Sequence, residues 1–241
     1  MNTGSDELNE FGQPVGTVVE DWEPREPVFP VILEGMSCRL EPLNPTSHGD
    51  DLLQVYARTD PRSWTYLPYG PFESEQQFRR WLAVAASGSD LFFTVVERSR
   101  DLPLGLLALM RCDASNGVVE VGNIHFSDAA KGSRISTEAV FLAMQFVFDQ
   151  LGYRRLEWKC NALNAPSRRA AERFGFRFEG IFRQAVVVKG RNRDTAWYAV
   201  MDYEWPALRD GYQDWLAAKN FDADNRQREK LDVFIVRHAN G

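Results

Sequence analysis

The chain has few cysteines and no long apolar run, and these two absences limit the classes of protein to which it can belong. Its 241 residues contain Cys38, Cys112 and Cys160, which are odd in number and widely spaced. This pattern favours neither a disulfide framework nor a zinc site, so we expect buried, reduced thiols and no metal. No apolar run approaches the roughly 18 residues that a membrane-spanning helix needs. Residues 1–16 lack the basic and apolar blocks of a secretory signal, so we expect a cytoplasmic protein without a membrane partner.

Charge is unevenly distributed along a chain of ordinary globular composition. Hydrophobic residues make up 44% and charged residues 26% of the sequence, as in a typical buried domain. Residues 1–34 carry eight acidic side chains and one basic one, whereas residues 154–193 carry eleven basic and three acidic side chains. A basic face on a chain of net charge −6 favours a small polyanion over a nucleic acid. For most of these arginines individually, a solvated helix face is the alternative.

The spacing of apolar and turn residues predicts one α/β domain with two extensions. Residues 1–35 are expected to form an extended acidic arm, residues 36–218 the domain and residues 219–241 a polar tail. The domain elements follow the order β-α-α-β-β-β-α-β-α-β-β, and a mixed sheet with helices on both faces is expected. They occupy residues 38–43, 48–58, 74–87, 91–98, 103–112, 118–126, 135–152, 154–163, 164–175, 178–190 and 194–205, and a last helix spans 206–218.

Two junctions at which a loop enters a helix contain the most informative residues. The first, KGSRISTEA at 131–139, places backbone N–H groups, Lys131 and Arg134 at the start of an amphipathic helix. Such a helix start binds phosphate groups, because its N–H groups are free and the helix dipole is positive there. The second, at 164–180, begins a helix at Asn164 and ends it at a glycine, as expected from N-cap and C-terminal preferences.

These junctions and the element order resemble the acyl-CoA-binding core of the GCN5-related N-acetyltransferase (GNAT) superfamily. The resemblance is to the branch similar to ribosomal-protein alanine acetyltransferases, and it covers roughly residues 36–205. It implies the GNAT fold, a mixed and mostly antiparallel central sheet with helices on both faces, and acetyl-CoA as acyl donor. Relatives commonly show Gln/Arg-x-x-Gly-x-Gly/Ala at the first junction. Here the stretch AAKGSR keeps Gly132 and has Ala129 and Arg134 at the flanking motif positions.

The resemblance implies that acetyl-CoA lies between the strand that ends at Phe126 and the two helix starts. The residues expected to bind it are His125, Phe126, Ser127, Lys131, Gly132, Ser133, Arg134, Ile135, Ser136, Asn164 and Arg169. Backbone N–H groups near 125–127 are the expected oxyanion donors, because this strand splays from its neighbour in the family. Capping of its own helix is the alternative role of Asn164.

Acyl transfer to an amine needs a base for the amine and stabilisation of the departing thiolate. Many relatives have a tyrosine acid where this chain has Ala171, so the resemblance assigns thiolate stabilisation to Ser167. An ordinary first-turn serine is the alternative. Glu120 is the expected base, by its match to an acidic residue of the resembling branch that acts through water. His125 competes because its ordinary pKa suits a base, although strand alternation places it on the opposite face from Glu120.

The acceptor is the least specified part of the prediction. Trp64 and Tyr66, in an aromatic loop, and Trp158 and Trp197, on strands beside the cleft, are the expected acceptor contacts; each is otherwise a core residue. We expect direct acetyl transfer, in a ternary complex, to a primary amine of a small molecule, an aminoacyl compound or a protein N-terminus. The alternatives are a non-catalytic acyl-CoA-binding module, another donor such as succinyl-CoA, and a nucleic-acid-binding module. The protein is expected to be a monomer or a homodimer.

Overall fold

The computed structural model describes residues 7–224 and 226–239. Residues 1–6 of the predicted arm, and 225, 240 and 241 of the predicted tail, lie outside this part. The strands are β1 (Glu7–Leu8), β2 (Pro14–Val15), β3 (Leu33–Glu34), β4 (Cys38–Pro42), β5 (Leu91–Glu97), β6 (Leu102–Asp113), β7 (Val118–Phe126), β8 (Arg155–Asn161), β9 (Arg177–Val188) and β10 (Arg191–Met201). The α-helices are α1 (Pro45–Ala57), α2 (Glu75–Ser87), α3 (Arg134–Gln145), α4 (Ala165–Arg173), α5 (Trp205–Leu216) and α6 (Leu231–Ala239). From β4 to β10 the predicted element order is confirmed.

One mixed sheet organises the described part of the chain, and it confirms the predicted fold class. Its strands lie in the order β3-β4-β5-β6-β7-β8-β10-β9. Neighbouring strands are antiparallel apart from β7 and β8, which are parallel. A parallel pair needs a crossover connection, and α3 supplies it between these two strands.

Apolar clusters pack against both faces of the sheet. On the face covered by α3, α4 and α5, here the α3 face, Phe146, Ala171 and Tyr212 are buried. On the opposite face, covered by α1 and α2 and here called the α1–α2 face, Leu52 and Phe78 are buried. Burial of each large apolar side chain stabilises the fold by roughly 1.5–3 kcal/mol. Apolar packing therefore supports the sheet on both faces, and the strands that border the site described below are held between these two layers.

Four helices have side-chain hydrogen bonds that cap their N-termini. The side chains of Asn44, Ser74, Ser133 and Asn164 each accept a hydrogen bond from an N–H group in the first turn of α1, α2, α3 and α4, respectively. Each cap of this kind contributes about 1 kcal/mol. The helix predicted over 135–152 ends earlier as an α-helix and continues as a π-helical turn at Phe146–Gln150.

The sheet opens between its parallel strands. Within the described residues, β7 and β8 pair only over 118–120 and 155–157. Beyond this point β7 continues along β6 as far as Phe126, whereas β8 continues along β10 as far as Asn161. The C-terminal halves of the two strands thus splay apart and leave a cleft through the sheet.

A β-bulge lies in β7 beside this cleft. Asn123 has a φ of 49°, and the register with β6 shifts between the pairs Gly122–Ala108 and His125–Leu106. Three steps along β7 therefore match two steps along β6, which is the definition of a bulge. The bulge reverses the alternation of side chains for every later residue of the strand.

The described part of the arm is attached to the domain through its aromatic residues. Trp22 Nε1 donates to the Ser115 carbonyl oxygen at 3.1 Å, and the ring of Phe29 packs edge-on against Phe146 at 5.4 Å. The last residues of the predicted arm, Leu33–Glu34, form edge strand β3 of the main sheet. The sheet therefore begins before the predicted domain boundary at residue 36.

The predicted polar tail contains a helix, α6, that the sequence analysis missed. Leu231 and Phe234 are buried in the same cluster as α5. Gly211 of α5 permits close approach, because a Cβ there would lie 3.0 Å from the Ile235 Cα. Residues 231, 234 and 235 have i, i+3, i+4 spacing, which is the signal that could have predicted this helix.

Two local predictions need correction. The β9–β10 turn was expected at 190–193 but consists of Lys189 and Gly190, with φ values of 50° and 72°. Two positive φ values are the requirement of the tight hairpin turn that matches strand twist. Cys112, expected to be buried, is exposed near the end of β6, whereas the other two cysteines are buried free thiols as predicted.

Candidate active site

A cavity of about 740 Å³ occupies the cleft between the splayed strands. Both strands, the start of α3, helix α4 and the loop after α1 contribute to its walls. The structure brings ten of the predicted site residues to this cavity: Tyr66, Glu120, His125, Phe126, Lys131, Gly132, Ser136, Trp158, Asn164 and Ser167. The other predicted residues, namely Trp64, Ser127, Ser133, Arg134, Ile135, Arg169 and Trp197, do not line it.

The start of α3 presents backbone donors at one end of the cavity. Gly132 has a φ of 67° and enters the helix, and the Ser133 side chain caps it by accepting from the Ser136 N–H at 3.4 Å. The first N–H groups of a helix have no intrahelical acceptor and lie at the positive end of its dipole. Lys131 Nζ adds a cation 2.6 Å from Asp128 Oδ1. This end of the cavity can bind a phosphate-bearing ligand.

The Arg134 side chain points away from this cavity. Its Nη2 donates to the Leu216 carbonyl oxygen at the end of α5, at 2.5 Å, and its guanidinium lies 4.5 Å from the Phe221 ring centre. It lines a separate cavity of about 510 Å³ together with Ser133 and Ile135. Arg134 therefore contributes its backbone N–H group to the first turn of α3, while its charge lies in the separate cavity.

Two further residues of the predicted cofactor set lie outside the cavity. Ser127 is buried, and its carbonyl oxygen accepts from the N–H groups of Ala130 and Lys131, both at 3.0 Å. It thus shapes the loop before α3. Arg169 is exposed on the outer side of α4. The facing of α4 decides this, because residues 166, 167, 170, 173 and 174 line the cavity at helical spacing.

Arg173 is a cavity residue that the sequence analysis missed. Both terminal nitrogens of its guanidinium lie 3.1 Å from the Thr137 hydroxyl of α3. Burial lowers the pKa of this guanidinium, and within the described chain no carboxylate lies in salt-bridge range of it. Arg173 lies three residues after Ala170 and seven after Pro166, and this same-face helical spacing was the available signal. It adds a half-buried cation close to the start of α3.

Glu120 is a buried carboxylate at the opposite end of the cavity. Its Oε2 accepts from Arg111 Nη1 at 2.7 Å and lies 3.2 Å from Lys159 Nζ. Lys159 also lies 2.6 Å from Glu157 Oε2. Burial raises the pKa of Glu120, and this effect exceeds the opposing influence of the two cations. A carboxylate with a raised pKa is better matched to proton transfer near neutral pH than an exposed one.

The bulge at Asn123 brings His125 to the same face as Glu120, so the predicted opposite facing is wrong. The His125 ring lies 4.4 Å from Tyr56 and 3.8 Å from Trp64, both on the α1–α2 face. Ile124 and Phe126, by contrast, pack with the cluster on the α3 face. Alternation predicts the reverse for an unbroken strand.

His125 is held as a neutral imidazole. Its Nε2 lies 3.3 Å from Ser63 Oγ, and its Nδ1 is buried with no hydrogen-bond partner in the described structure. Burial, reinforced by the positive charge of Lys131, lowers the pKa of this histidine to about 3. Such an imidazole is a weak base at neutral pH, which leaves Glu120 as the better candidate.

Ser167 and Trp158 form a hydrogen-bonded pair inside the cleft. Trp158 Nε1 donates to Ser167 Oγ at 3.0 Å, and the Asn164 side chain accepts from the Ser167 N–H at 3.2 Å. Because the hydroxyl oxygen accepts from the indole, the hydroxyl proton is directed elsewhere and is available as a donor. Ala171, at the position of the tyrosine in many relatives, is fully buried on the same helix.

The acceptor side of the cavity is covered by the loop after α1 and the β9–β10 hairpin. Tyr66 bridges the mouth of the cleft, since its hydroxyl donates to the Leu163 carbonyl oxygen at 3.2 Å. Lys189, in the hairpin turn, donates to the carbonyl oxygens of Trp64 and Gly70 at 2.9 Å and 2.5 Å. Trp64 itself is buried in the core of the α1–α2 face. The loop and the hairpin thus support each other above the cleft.

Trp197 lies on β10 beside the cleft rather than in its lining. Its ring stacks on Phe182 at 4.7 Å, and Lys159 Nζ lies 3.9 Å from the ring centre. Four residues earlier on the same strand, Arg193 lines the cavity, and it was not predicted as a site residue. Among the described residues, none of the helices has the length and apolar character to cross a bilayer, and no group of three metal-ligating side chains converges.

Comparison with known proteins identifies the family. Residues 39–177, more than half of the chain, match the model described as the acetyltransferase (GNAT) domain. The chain belongs to the GNAT family of N-acetyltransferases. A GCN5-related N-acetyltransferase from Brucella melitensis is 49% identical, with a TM-score of 0.89 over 90% of this chain and 100% of that one.

Other relatives agree with the resemblance to ribosomal acetyltransferases. YdaF of Bacillus subtilis, provisionally named a ribosomal N-acetyltransferase, is 29% identical over 42% of this chain and 55% of its own length. The ribosomal L7/L12 α-N-protein acetyltransferase RimL has a TM-score of 0.60 over 72% of this chain and 96% of that one, at 19% identity, and therefore shares the fold. Family membership makes this GNAT protein an N-acetyltransferase, and acyl-CoA donors are general in the family.

Proposed function

We propose that this GNAT enzyme transfers an acetyl group from acetyl-CoA directly to a primary amine in a ternary complex. The observation that supports the proposal best is that one continuous cavity of about 740 Å³ extends from the start of α3 to the buried carboxylate of Glu120. A donor and an acceptor that enter from opposite ends would meet in the splay between β7 and β8. No covalent enzyme intermediate is then needed.

Donor binding is assigned to the α3 end. The pyrophosphate of CoA would accept hydrogen bonds from the free N–H groups at the start of α3. Lys131 and Arg173, both in the cavity wall, would neutralise part of its charge. Asn164 and Ser136 supply further polar groups to the same wall. The pantetheine arm would follow the splay, where the backbone of β7 beyond Glu120 lacks a strand neighbour on the β8 side within the described residues.

The chemical step is assigned to Glu120 and Ser167. The neutral amine attacks the thioester carbon and forms the C–N bond, and its proton passes to Glu120, directly or through a water molecule. The backbone N–H of Phe126, which strand alternation directs to the β8 side, would stabilise the oxyanion, whereas the Ser127 N–H is already bonded to the Leu104 carbonyl oxygen at 2.8 Å. The C–S bond then breaks, and the Ser167 hydroxyl, which Trp158 leaves free to donate, stabilises the departing CoA thiolate through a hydrogen bond and keeps its own proton. A thiolate is a good leaving group, so a hydrogen bond suffices, and the proton taken up by Glu120 is released to solvent or to the thiolate.

Ligand-dependent melting temperature tests the donor assignment. Acetyl-CoA at millimolar concentration should raise the melting temperature through preferential binding to the folded state. Dephospho-CoA should raise it less if arginines also contact the 3′-phosphate. The absence of any shift with saturating acetyl-CoA would overturn the proposed donor.

Amine-dependent CoA release tests catalysis. Acetyl-CoA should release CoA faster with members of an amine panel that includes amino acids, amines and peptides than with buffer alone. Binding of acetyl-CoA without acceleration by any amine would instead favour the non-catalytic acyl-CoA-binding module. Faster turnover with succinyl-CoA than with acetyl-CoA would change the acyl group but not the site.

A further inference from the structure

Arg193 presents a cation to the acceptor end of the cavity without a carboxylate to balance it. The side chain is half-buried in the cavity wall, and burial lowers the pKa of its guanidinium. Its Nε is fully buried and has no hydrogen-bond partner in the part of the chain that is described. A buried donor without an acceptor is costly to keep, so a missing partner is the natural explanation.

The face of β10 that holds Arg193 is the acceptor face. Trp197 lies opposite Lys159 of β8, whose Nζ contacts both the Trp197 ring and Glu120. Side chains two residues apart share a face of a strand, so Arg193 and Thr195 project to the same side as Trp197. Thr195 Oγ1 is likewise buried without a partner in the described chain. This face of β10 therefore carries two buried polar groups that have no hydrogen-bond partner in the described chain.

Arg111 and Lys159, the neighbouring cations in the cavity wall, are already paired with carboxylates. Glu120 accepts from Arg111 and contacts Lys159, and Lys159 contacts Glu157 as well. Arg193 is close enough for the charges of Glu120 and Arg111 to affect its pKa in opposite directions, yet it forms no salt bridge with a described residue. The acceptor end therefore has one cation in excess.

Arg193 is also badly placed to bind CoA phosphates. The start of α3, Lys131 and Arg173 are at the donor end, and α3 packs on the opposite face of the sheet from Arg193. A ligand that uses Arg193 therefore enters from the acceptor side.

We infer that the acceptor is a small amino-carboxylate, whose carboxylate pairs with Arg193 while its amine lies beside Glu120. The inference rests on the proposed acetyl transfer and adds to it the chemical class of the acceptor. A guanidinium presents parallel N–H donors that match the two oxygens of a carboxylate. Glu120 and Arg193 together match the opposite charges of an amino acid. A free α-carboxylate and an acidic side chain next to the amine share this chemistry.

Matched acceptor series test the inference. Steady-state kcat/KM would be measured by CoA release for amino acids, for the corresponding α-amides, and for C-terminally amidated dipeptides that begin with Asp or Glu. Amino acids should exceed their amides by at least about tenfold, as expected when a charged hydrogen-bonded pair is lost. Amidation lowers the amine pKa and enriches the attacking neutral form, so amine chemistry alone would favour the amides. A preference confined to acidic dipeptides would locate the same carboxylate on the side chain.

Variants of Arg193 connect the preference to this residue. Arg193→Met should lower kcat/KM for carboxylate acceptors by about 10- to 100-fold and leave amides within about threefold. Arg193→Lys, which keeps the charge but loses the paired donors, should fall between. Arg183→Met is the matched control, because Arg183 is exposed on neighbouring β9 and does not line the cavity. It should behave as the wild type does.

The outcomes separate this inference from the proposed function. Equal rates for acids and amides, a preference that survives Arg193→Met, or an Arg193→Met effect on the KM for acetyl-CoA alone would each overturn the assignment. In all three cases acetyl transfer would stand. The absence of amine-dependent CoA release would instead reject the proposed function itself. Acetyl-CoA should raise the melting temperature of Arg193→Met as it does that of the wild type, which shows that the variant is folded.

Discussion

The two ends of the active-site cavity present different chemical groups to a ligand. The end at α3 relies mainly on backbone N–H groups, supported by Lys131 and Arg173. The end at β10 relies on charged side chains, with the buried carboxylate of Glu120 among Arg111, Lys159 and Arg193. Backbone donors are present whatever the side chain is, whereas a charged pair is lost with one substitution. The donor end should therefore tolerate changes of sequence that the acceptor end does not.

Arg134 illustrates this tolerance. It replaces a small residue of the family motif, but its guanidinium turns to the end of α5 and the Phe221 ring. Its backbone N–H group remains in the first turn of α3, where any residue but proline would supply it. A small residue at this motif position thus keeps space free near the phosphates, whereas the hydrogen-bond donor is the backbone N–H group and does not depend on the side chain.

The largest effect is expected at the acceptor end, from removal of the proposed base. Glu120→Gln should lower kcat by about 10²- to 10³-fold, because general-base catalysis contributes on this scale. The loss should be greatest at low pH, where the amine is protonated, and an acceptor with a lower amine pKa should partly restore the rate. Acetyl-CoA binding, measured by thermal shift, should be unchanged.

Glu157→Gln is the control for Glu120→Gln. It removes another carboxylate partner of Lys159, at 2.6 Å, from a residue that does not line the cavity. A similar loss in both variants would mean that the charge balance around Lys159 matters, and not a base at Glu120. A full rate in Glu120→Gln at every pH would reject the base assignment.

The next effect concerns His125, which lies where the two ends meet. Its pKa is lowered to about 3 in the folded protein, against about 6.5 in an unfolded chain. Between these values the unfolded state binds the proton and the folded state does not, so stability falls as pH decreases below about 6.5. From pH 7 to pH 5 the wild type should lose about 2 kcal/mol more than His125→Gln, measured by urea unfolding. Identical pH slopes would show that the imidazole is not held neutral.

A smaller effect is expected from Ser167, between the two ends. Ser167→Ala should lower kcat by about tenfold with little dependence on pH, because a thiolate leaves readily without a strong acid. Trp158→Phe, which removes the indole donor but keeps the hydroxyl, should lower kcat less. An equal or larger loss in Trp158→Phe would indicate that the indole packs the cleft and that the hydroxyl does not assist the thiolate.

The smallest effect distinguishes the two arginines near the donor end. Arg173→Met should raise the KM for acetyl-CoA by about fivefold, because it removes a cation in the cavity wall. Arg134→Ala should leave this KM within about twofold and should instead lower stability by about 1 kcal/mol, through loss of the bond to Leu216. The reverse pattern would mean that the Arg134 guanidinium turns to the phosphates when the donor binds.

The sequence alone was sufficient for the order of elements from β4 to β10 and, to within one residue, for the starts of α2, α3, α4 and α5, whereas α1 begins three residues before the predicted start at residue 48. Apolar periodicity and caps such as Asn164 act within a few residues, so they can be recognised without knowledge of distant contacts. The same local signals located the junctions at 131–139 and 164–180, and the family resemblance supplied the donor. Helix α6 was within reach too, because the spacing of Leu231 and Phe234 is a local pattern.

Tertiary structure decided which side chains meet in the cavity. The bulge at Asn123 forms against β6 and places His125 on the same face of the sheet as Glu120. No neighbouring residue in the sequence predicts this bulge. Arg134 turns away because the end of α5, some 80 residues later in the chain, offers it a carbonyl oxygen. Arg193 reaches the cavity because β10 lies beside β8. These contacts join residues that are remote in sequence, and their energies depend on the geometry of the whole sheet, which local propensities do not contain.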